Sequence, residues 1–597
     1  MSFEPQIDGR LSSEERALAP QAFRQEFRFD NPDVEVPDIH FRLAYSPNYL
    51  YLAIETGADK ICYRNRGFLW GDGWKLLLAD ASGPPRSARY VEIFASPKAP
   101  EDERVEMFLG VQDNQQVYRR LSKHSDFAEG VDQGRSIFEA KIAWTDIAPF
   151  QPLLNDQIGI NLYFAKGLET PSDGAFAYGY SLVKDEGIWD EELQIRAFAP
   201  VAFAPAAAKQ QKSTALALYS KRIQQGEPLS VTVIATGETS RPVSVSFELF
   251  DQEQRVASEL VDVVINAPLS LRTLDVPVAG LAPGAYRLAV NANGTRRDFE
   301  LAVLPNIDPA QARKTLSSAA KWLPEGDQHS LLFALNEYER LQSTTPGYAE
   351  PDELLKLASQ LQQDLAAVTA GSNPFDERGG PYRRAFLSQQ DGTLQPYSIK
   401  LPTGYDPDSR YPAIVFLHGS GTDEQGLLDL PRGGPGFIEI APYGRDRYRA
   451  YSAPASQRDI IEALDAAMAR FAIDADRVLI GGFSMGGYGA LHAYYQNPER
   501  FRGVAVFAGH PNLANEWLFG WFPNFLKPHY QAAFKSVPVF IYHGEQDAAL
   551  PFGLAKALAD GLADAGAEVT FSPSADNGHV YQDEASQQRY LTWLAQF

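Results

Sequence analysis

The sequence predicts a multidomain chain: two successive β-sandwiches, a short helical segment, and a C-terminal α/β domain built on a doubly wound, mostly parallel sheet. Three observations carry this prediction. At 597 residues the chain is far beyond the ~300 residues at which a single core stops growing, so about three to five domains are expected. Period-two alternation of apolar and polar residues recurs through the first half, as half-buried strands require. Near the C-terminus, Arg477 to Leu491 reads as an apolar strand that turns sharply into a helix, within a region of alternating strand and helix patterns.

Residues 1–197 form the first expected sandwich, with alternation in Tyr49–Glu55 and Tyr90–Ala95. Ile7–Arg10, Asn48–Ile54, Trp70–Asp80, Phe138–Asp146 and Gln157–Tyr163 together resemble the family 9 carbohydrate-binding modules, β-sandwiches related to the DOMON group. The resemblance implies sugar binding on exposed aromatic faces, for which Trp70, Trp74, Tyr63, Trp189 and Tyr178 are the candidates, against the alternative that these rings fill the sandwich core. Related modules sometimes hold calcium, but no acidic loop here has the spacing of a calcium loop.

Residues 198–213, rich in Ala and Pro, read as a linker. Residues 214–305 carry Leu229–Ile234, Val243–Leu249, Leu281–Leu288 and Phe299–Val303, a length and strand spacing that suit an immunoglobulin-like sandwich acting as spacer or docking wall. From Asp308-Pro309, a capping residue before a first-turn proline, residues 306–372 turn helical, with Leu354, Leu357, Leu361 and Leu365 on one face. They predict a helical hairpin bracing the last domain, residues 373–597. No internal repeat is present, which argues against a propeller.

The chemistry is concentrated in that last domain. Gly482-Phe-Ser484-Met-Gly486 stands where strand becomes helix, the Gly-x-Ser-x-Gly nucleophile elbow that lifts a serine hydroxyl above a sheet. A serine needs a histidine to take its proton and a carboxylate to orient that histidine. Asp547 follows the apolar strand Val537–Gly544, and His579 ends the polar loop after Ala567–Phe571. Glu545 and Asp576 compete for the carboxylate role. Oxyanion donors are expected from the backbone N–H groups of Met485 and of Ser420, in His418-Gly-Ser420-Gly after the strand Tyr411–Leu417. His418, His492, His510, His529 and His543 read as packed structural histidines. Between Phe507 and Val537 lies an aromatic insertion with His510, Trp517, Phe519, Trp521, Phe522, Phe525 and Tyr530. It either covers the site, with Trp517 and Trp521 contacting substrate, or packs beneath a helical excursion.

The order serine, aspartate, histidine is that of the α/β-hydrolase superfamily. Residues 375–597 resemble its compact serine esterases, specifically feruloyl and acetyl esterases, polyhydroxyalkanoate depolymerases and the catalytic domain of prolyl oligopeptidases; Arg384–Pro402 resembles the antiparallel strands with which that group begins.

A net charge of −22 argues against nucleic acid or anionic membrane as partner. No apolar run reaches the ~18 residues of a membrane span. The one cysteine, Cys62, rules out an internal disulfide and a cysteine-based metal cluster. No cofactor or metal is implied. Residues 1–10 lack a signal-peptide core, leaving a secreted or periplasmic protein shorn of its leader, or a cytoplasmic one. Together these features predict a modular serine esterase that deacylates a polysaccharide or related polymer. A serine peptidase or polyester hydrolase, and an inactive carbohydrate-binding protein, are the alternatives.

Overall fold

The computed structural model describes residues 4–23, 25–28, 38–62, 72–79, 90–95, 105–111, 115–119, 124–147, 150, 157–167, 176–181, 199–202, 213–218, 221–267, 269–343, 351–426, 432–445, 447, 449–518, 521–547 and 549–597. The chain divides into two compact units, one of residues 1–307 and 338–362, the other of 308–337 and 363–597.

In the first unit, Ile39–Tyr45, Tyr49–Thr56, Arg135–Ala143 and Asp126–Asp132 make a four-stranded antiparallel sheet. A larger antiparallel sheet is centred on Gln157–Gly167 and Gly73–Ala79. Leu50, Leu52, Ile54, Phe138 and Ile142 from one sheet, and Leu76, Leu78, Ile160, Leu162 and Phe164 from the other, share one buried core. Ala199–Ala202, within the stretch expected to be linker, is instead a strand paired with Gln157–Ile160. Pro200 is tolerated there because, among the described residues, the strand pairs on one side only.

Two further antiparallel-dominated sheets follow, of three and five strands. Val231, Val233, Val245, Phe247, Val290 and Leu301 meet in their common core. Two of their strands, Gln254–Ile265 and Leu269–Val276, are not evident from the sequence pattern. Leu260 and Val264 of the former are exposed, which blurs the apolar–polar alternation that identifies a strand.

The helical segment is three helices rather than a hairpin: Pro309–Ala319, Glu325–Ser343 and Pro351–Thr369. Asp308 caps the first by accepting from Ala310 and Gln311. Residues 308–337 belong to the second unit and 338–362 to the first.

The elements of the C-terminal domain are labelled here in chain order. Its strands are β1 (Tyr382–Leu387), β2 (Leu394–Lys400), β3 (Tyr411–Leu417), β4 (Ile438–Pro442), β5 (Ile473–Phe483), β6 (Val504–Phe507), β7 (Pro538–Gly544) and β8 (Glu568–Ser574). They form one sheet in the order β1-β2-β4-β3-β5-β6-β7-β8. The β1–β2 and β2–β4 pairs are antiparallel and the others parallel. Its helices are α1 (Pro454–Arg470), α2 (Met485–Gln496), α3 (Leu513–Trp517), α4 (Pro528–Gln531), α5 (Phe552–Asp564) and α6 (Glu584–Leu594). Parallel strands buried on both faces read as continuous apolar runs, and β3 shows why. Ala413, Val415 and Leu417 join the core that holds Ile460, Leu464, Leu491 and Leu558 of α1, α2 and α5. Ile414 and Phe416 join the opposite core, with Tyr590, Trp593 and Leu594 of α6. Helices on both faces make this a doubly wound α/β sheet, whose C-terminal strand ends converge on one rim.

Candidate active site

Ser484 sits between β5 and α2 with φ 56° and ψ −116°. A non-glycine residue rarely adopts such angles, and here the surroundings enforce them. The Ser484 N–H donates to the Phe507 carbonyl at the end of β6, at 2.8 Å. The turn closes tightly because its neighbours lack side chains: a Cβ on Gly482 would run into the Gly486 carbonyl, and one on Gly486 into the Leu417 carbonyl.

Three of the residues singled out in the sequence form one hydrogen-bonded chain. Ser484 Oγ lies 2.9 Å from His579 Nε2, and His579 Nδ1 lies 2.8 Å from Asp547 Oδ2. Asp547 is buried, and its Oδ1 accepts the N–H groups of Ala549 (2.9 Å) and Leu550 (2.8 Å). Burial on its own would raise this carboxyl, but hydrogen bonds and positive charge from His543 and His579 outweigh it and hold Asp547 well below the usual carboxylate range. The competing carboxylates, Glu545 and Asp576, are exposed.

The loops carrying Asp547 and His579 are stitched to each other. Glu545 N–H donates to the Ser574 carbonyl, Gln546 N–H to that of Asn577, and the Gln546 side-chain amide to that of Ala575. The Asn577 amide in turn reaches Ser574 Oγ and Asp583. Phe483 packs its ring 5.0 Å from that of His579, so the imidazole is confined from the side as well as from its two nitrogens.

The loop after β3 lies directly on the elbow. A Cβ on Gly419 would stand 3.1 Å from the Phe483 ring and 3.5 Å from Ser484 Cβ, so this backbone passes in close contact with the elbow. Ser420 follows at once. The loop is held from several sides: His418 N–H donates to the Tyr451 hydroxyl, Thr422 Oγ1 to the Gly419 carbonyl, and Gly421 N–H to the Arg447 carbonyl. Glu424, fully buried, pairs with Arg383 of β1 at 2.5 Å. Met485 is the first residue of α2, so its N–H belongs to the helix end that has no intrahelical acceptor.

The other histidines do not contact Ser484 or His579. His418 lies buried with its ring nitrogens 2.9 Å from the Gly419 and Tyr443 carbonyls. His492 sits beside Gln496, and burial pushes it down to about 4. His510 pairs with Glu516, and His529 packs against Tyr530. His543 is a packed, hydrogen-bonded histidine, with Nε2 2.8 Å from the Leu550 carbonyl, and the same Nε2 lies 3.2 Å from Asp547 Oδ2. The sequence signal was a lone histidine in a wholly apolar strand, four residues before the carboxylate.

The aromatic insertion divides. Phe525 and Phe534 are fully buried and Tyr530 packs against Phe525, beneath the excursion rather than over the site. Trp521 is fully exposed, while next to it Asn515 clamps the Phe522 N–H and carbonyl, at 3.1 and 3.0 Å. Tyr488 of α2 donates to the Pro523 carbonyl, tying the insertion to the helix that begins after Ser484. The side chain of Trp517 lies outside the described residues, as do Trp70, Tyr63, Trp189 and the side chain of Tyr178. Trp74 is corrected: it is 3 % exposed and packs on Phe127, so it is a core residue and no sugar platform. Trp74, Leu76 and Leu78 alternate along one strand, and all three point inward.

Among the described residues, no group of three or more His, Cys, Asp or Glu side chains is placed to hold a metal ion, and no helix is long and apolar enough to cross a membrane.

The family described as Phospholipase/Carboxylesterase matches residues 443–591, a span that holds Ser484, Asp547 and His579. No curated protein matched. Similar solved structures include a ferulic acid esterase of Anaeromyces mucronatus in complex with ferulic acid, 16% identical over 37% of this chain and 91% of that one, TM-score 0.29. A fluorophosphonate-binding serine hydrolase of Staphylococcus aureus is 21% identical over 36% of this chain and 98% of its own, TM-score 0.30. An S-formylglutathione hydrolase of Agrobacterium tumefaciens is 18% identical over 37% of this chain and 97% of its own, TM-score 0.30.

Proposed function

We propose that this chain is a serine carboxylic-ester hydrolase that removes acyl groups, acetyl or feruloyl, from a polysaccharide or related polymer. The observation that carries the reading is the unbroken chain from Ser484 through His579 to a buried, ionised Asp547 at a strained elbow. Ser484 attacks the ester carbonyl while His579 takes its proton. The N–H groups of Met485 and Ser420 receive the oxyanion, and His579 then protonates the departing alcohol. Water repeats the sequence on the acyl-enzyme. Asp547 keeps the imidazole oriented and balances its charge.

The polymer substrate is supported by the exposed Trp521, which offers an aromatic face to solvent on an insertion that begins at the strand end where Ser484 is anchored. It is supported also by the likeness of the N-terminal motifs to carbohydrate-binding modules, which would bring the enzyme to its substrate. The second β region is a spacer in this reading, and the setting is secreted or periplasmic.

The test is hydrolysis of p-nitrophenyl acetate, p-nitrophenyl butyrate and methyl ferulate by the wild type and Ser484→Ala, with a peptide anilide alongside. Ester turnover that falls at least ~10³-fold in the variant is expected. A wild type inert on all three esters would overturn the reading, and anilide cleavage at comparable rates would move the enzyme to the peptidases.

A further inference from the structure

His543 is the penultimate residue of β7, whose preceding residues are Pro538-Val-Phe-Ile-Tyr542, and it is fully buried. Its Nε2 lies 2.8 Å from the Leu550 carbonyl and 3.2 Å from Asp547 Oδ2. Both neighbours are acceptors, so the hydrogen of this ring stands on Nε2 and points at them. Asp547 Oδ2 is the same oxygen that receives His579 Nδ1 at 2.8 Å. The carboxylate is thus gripped from all sides: two backbone N–H groups on Oδ1, and on Oδ2 one imidazole that leads to Ser484 and a second that does not.

We propose that His543 is a positioning residue for the hydrolysis: its Nε2–H fixes Asp547 Oδ2 on the line to His579 and draws off part of the carboxylate's charge. This rests on the esterase reading above. The carbonyl of Leu550 holds the His543 hydrogen while the Leu550 N–H holds the other oxygen of the same carboxylate, so one residue braces both partners. The charged and titratable groups that face Asp547 are His543 and His579, with Tyr542 of the same strand nearby; Phe552 packs against the His543 ring.

Two consequences follow from removing this donor. The carboxylate is freer to rotate, so the imidazole it orients is held less well and kcat falls. The charge formerly shared with His543 falls wholly on the bond to His579, which favours the protonated imidazole and moves the acidic limb of the kcat/KM profile to higher pH. A residue that only filled space would lower activity at every pH and leave the limb in place.

The experiment measures p-nitrophenyl butyrate hydrolysis against pH for the full chain as wild type, Ser484→Ala, His543→Phe and His543→Gln. Glutamine carries an amide N–H at the position of Nε2. We expect H543F to lose roughly tenfold in kcat, about the worth of one charge-assisted hydrogen bond, with KM little changed. Its acidic limb should move to higher pH, and H543Q should restore both. H543F that melts like the wild type and keeps its kcat and acidic limb overturns the proposal. Should H543F not fold, His543→Asn replaces it, since its shorter amide cannot reach Oδ2; identical pH profiles for H543N and H543Q would then overturn it. A wild type without Ser484-dependent hydrolysis sinks the esterase reading instead, so the two failures are told apart.

Discussion

At the scale of single residues, Asp547 concentrates the argument. It is buried, accepts three hydrogen bonds, meets His543 Nε2 at 3.2 Å, and is held as an anion by His543 and His579 against the cost of desolvation. Asp547→Asn preserves the shape but not the charge, and its amide presents a donor where His579 needs an acceptor. Activity on p-nitrophenyl butyrate should fall about 10³–10⁴-fold. A second effect follows from the sign of the perturbation. A carboxyl depressed by folding contributes stability that is complete above its unfolded value, near ~4, and is lost as pH falls through the folded value. Acid unfolding of the C-terminal domain, followed by tryptophan fluorescence, should therefore be less steep in D547N.

The same scale shows what a sequence discloses. Ser484, Asp547 and His579 are legible because each follows a strand, apolar in the first two cases, and parallel strands deliver their C-terminal ends to one rim. The link from His543 to Asp547 was not legible, because a histidine within an apolar strand looks like any satisfied core histidine until its neighbour is known. Trp74 misled for a related reason. Aromatic character marked it as a platform, whereas its phase with Leu76 and Leu78 already placed it on the inner face.

At the scale of elements, the N-terminal sheets hold a carboxyl whose burial matters. Glu139, on the strand Arg135–Ala143, accepts from the Tyr51 hydroxyl at 2.8 Å and from Gly9 N–H at 2.9 Å. Burial pushes it up to about 7, despite these hydrogen bonds and with Glu15 adding to the rise. Gly9, at φ 75°, packs its backbone against Glu129 and Gly130, where any Cβ would clash. Glu139 thus pins the first described residues to the sheet. A carboxyl raised by folding opposes the native state as pH climbs from the unfolded to the folded value. The Tyr49–Thr56 and Arg135–Ala143 strands should lose roughly 2–3 kcal/mol of protection between pH 5 and pH 8. Hydrogen exchange, corrected for intrinsic rates, would read this directly, and Glu139→Gln should flatten the dependence.

At the scale of the whole molecule, the C-terminal unit starts earlier than its strands and catalytic motifs imply. Arg384 of β1 is 1 % exposed, and its guanidinium meets Asp327 at 2.5 Å, on the helix Glu325–Ser343. Asp327 also takes Arg470 at the end of α1 and the Asn373 amide. Phe375 and Phe471 stack on the same guanidinium. Arg384 and Asp327 stand 57 positions apart in the chain, beyond the reach of any local pattern, which is why the boundary at 373 looked natural. A fragment of residues 373–597 would lose Asp327 and the helix that covers Arg384, leaving the guanidinium without its counter-charge, a loss of up to about 3–5 kcal/mol to the extent that it stays buried. That fragment should melt well below one of residues 308–597, or fail to accumulate as folded protein. Arg384→Met in the shorter fragment should recover part of the difference, because an apolar side chain of similar length needs no partner. Equal melting temperatures for the two fragments would show that residues 308–372 are dispensable to the C-terminal fold.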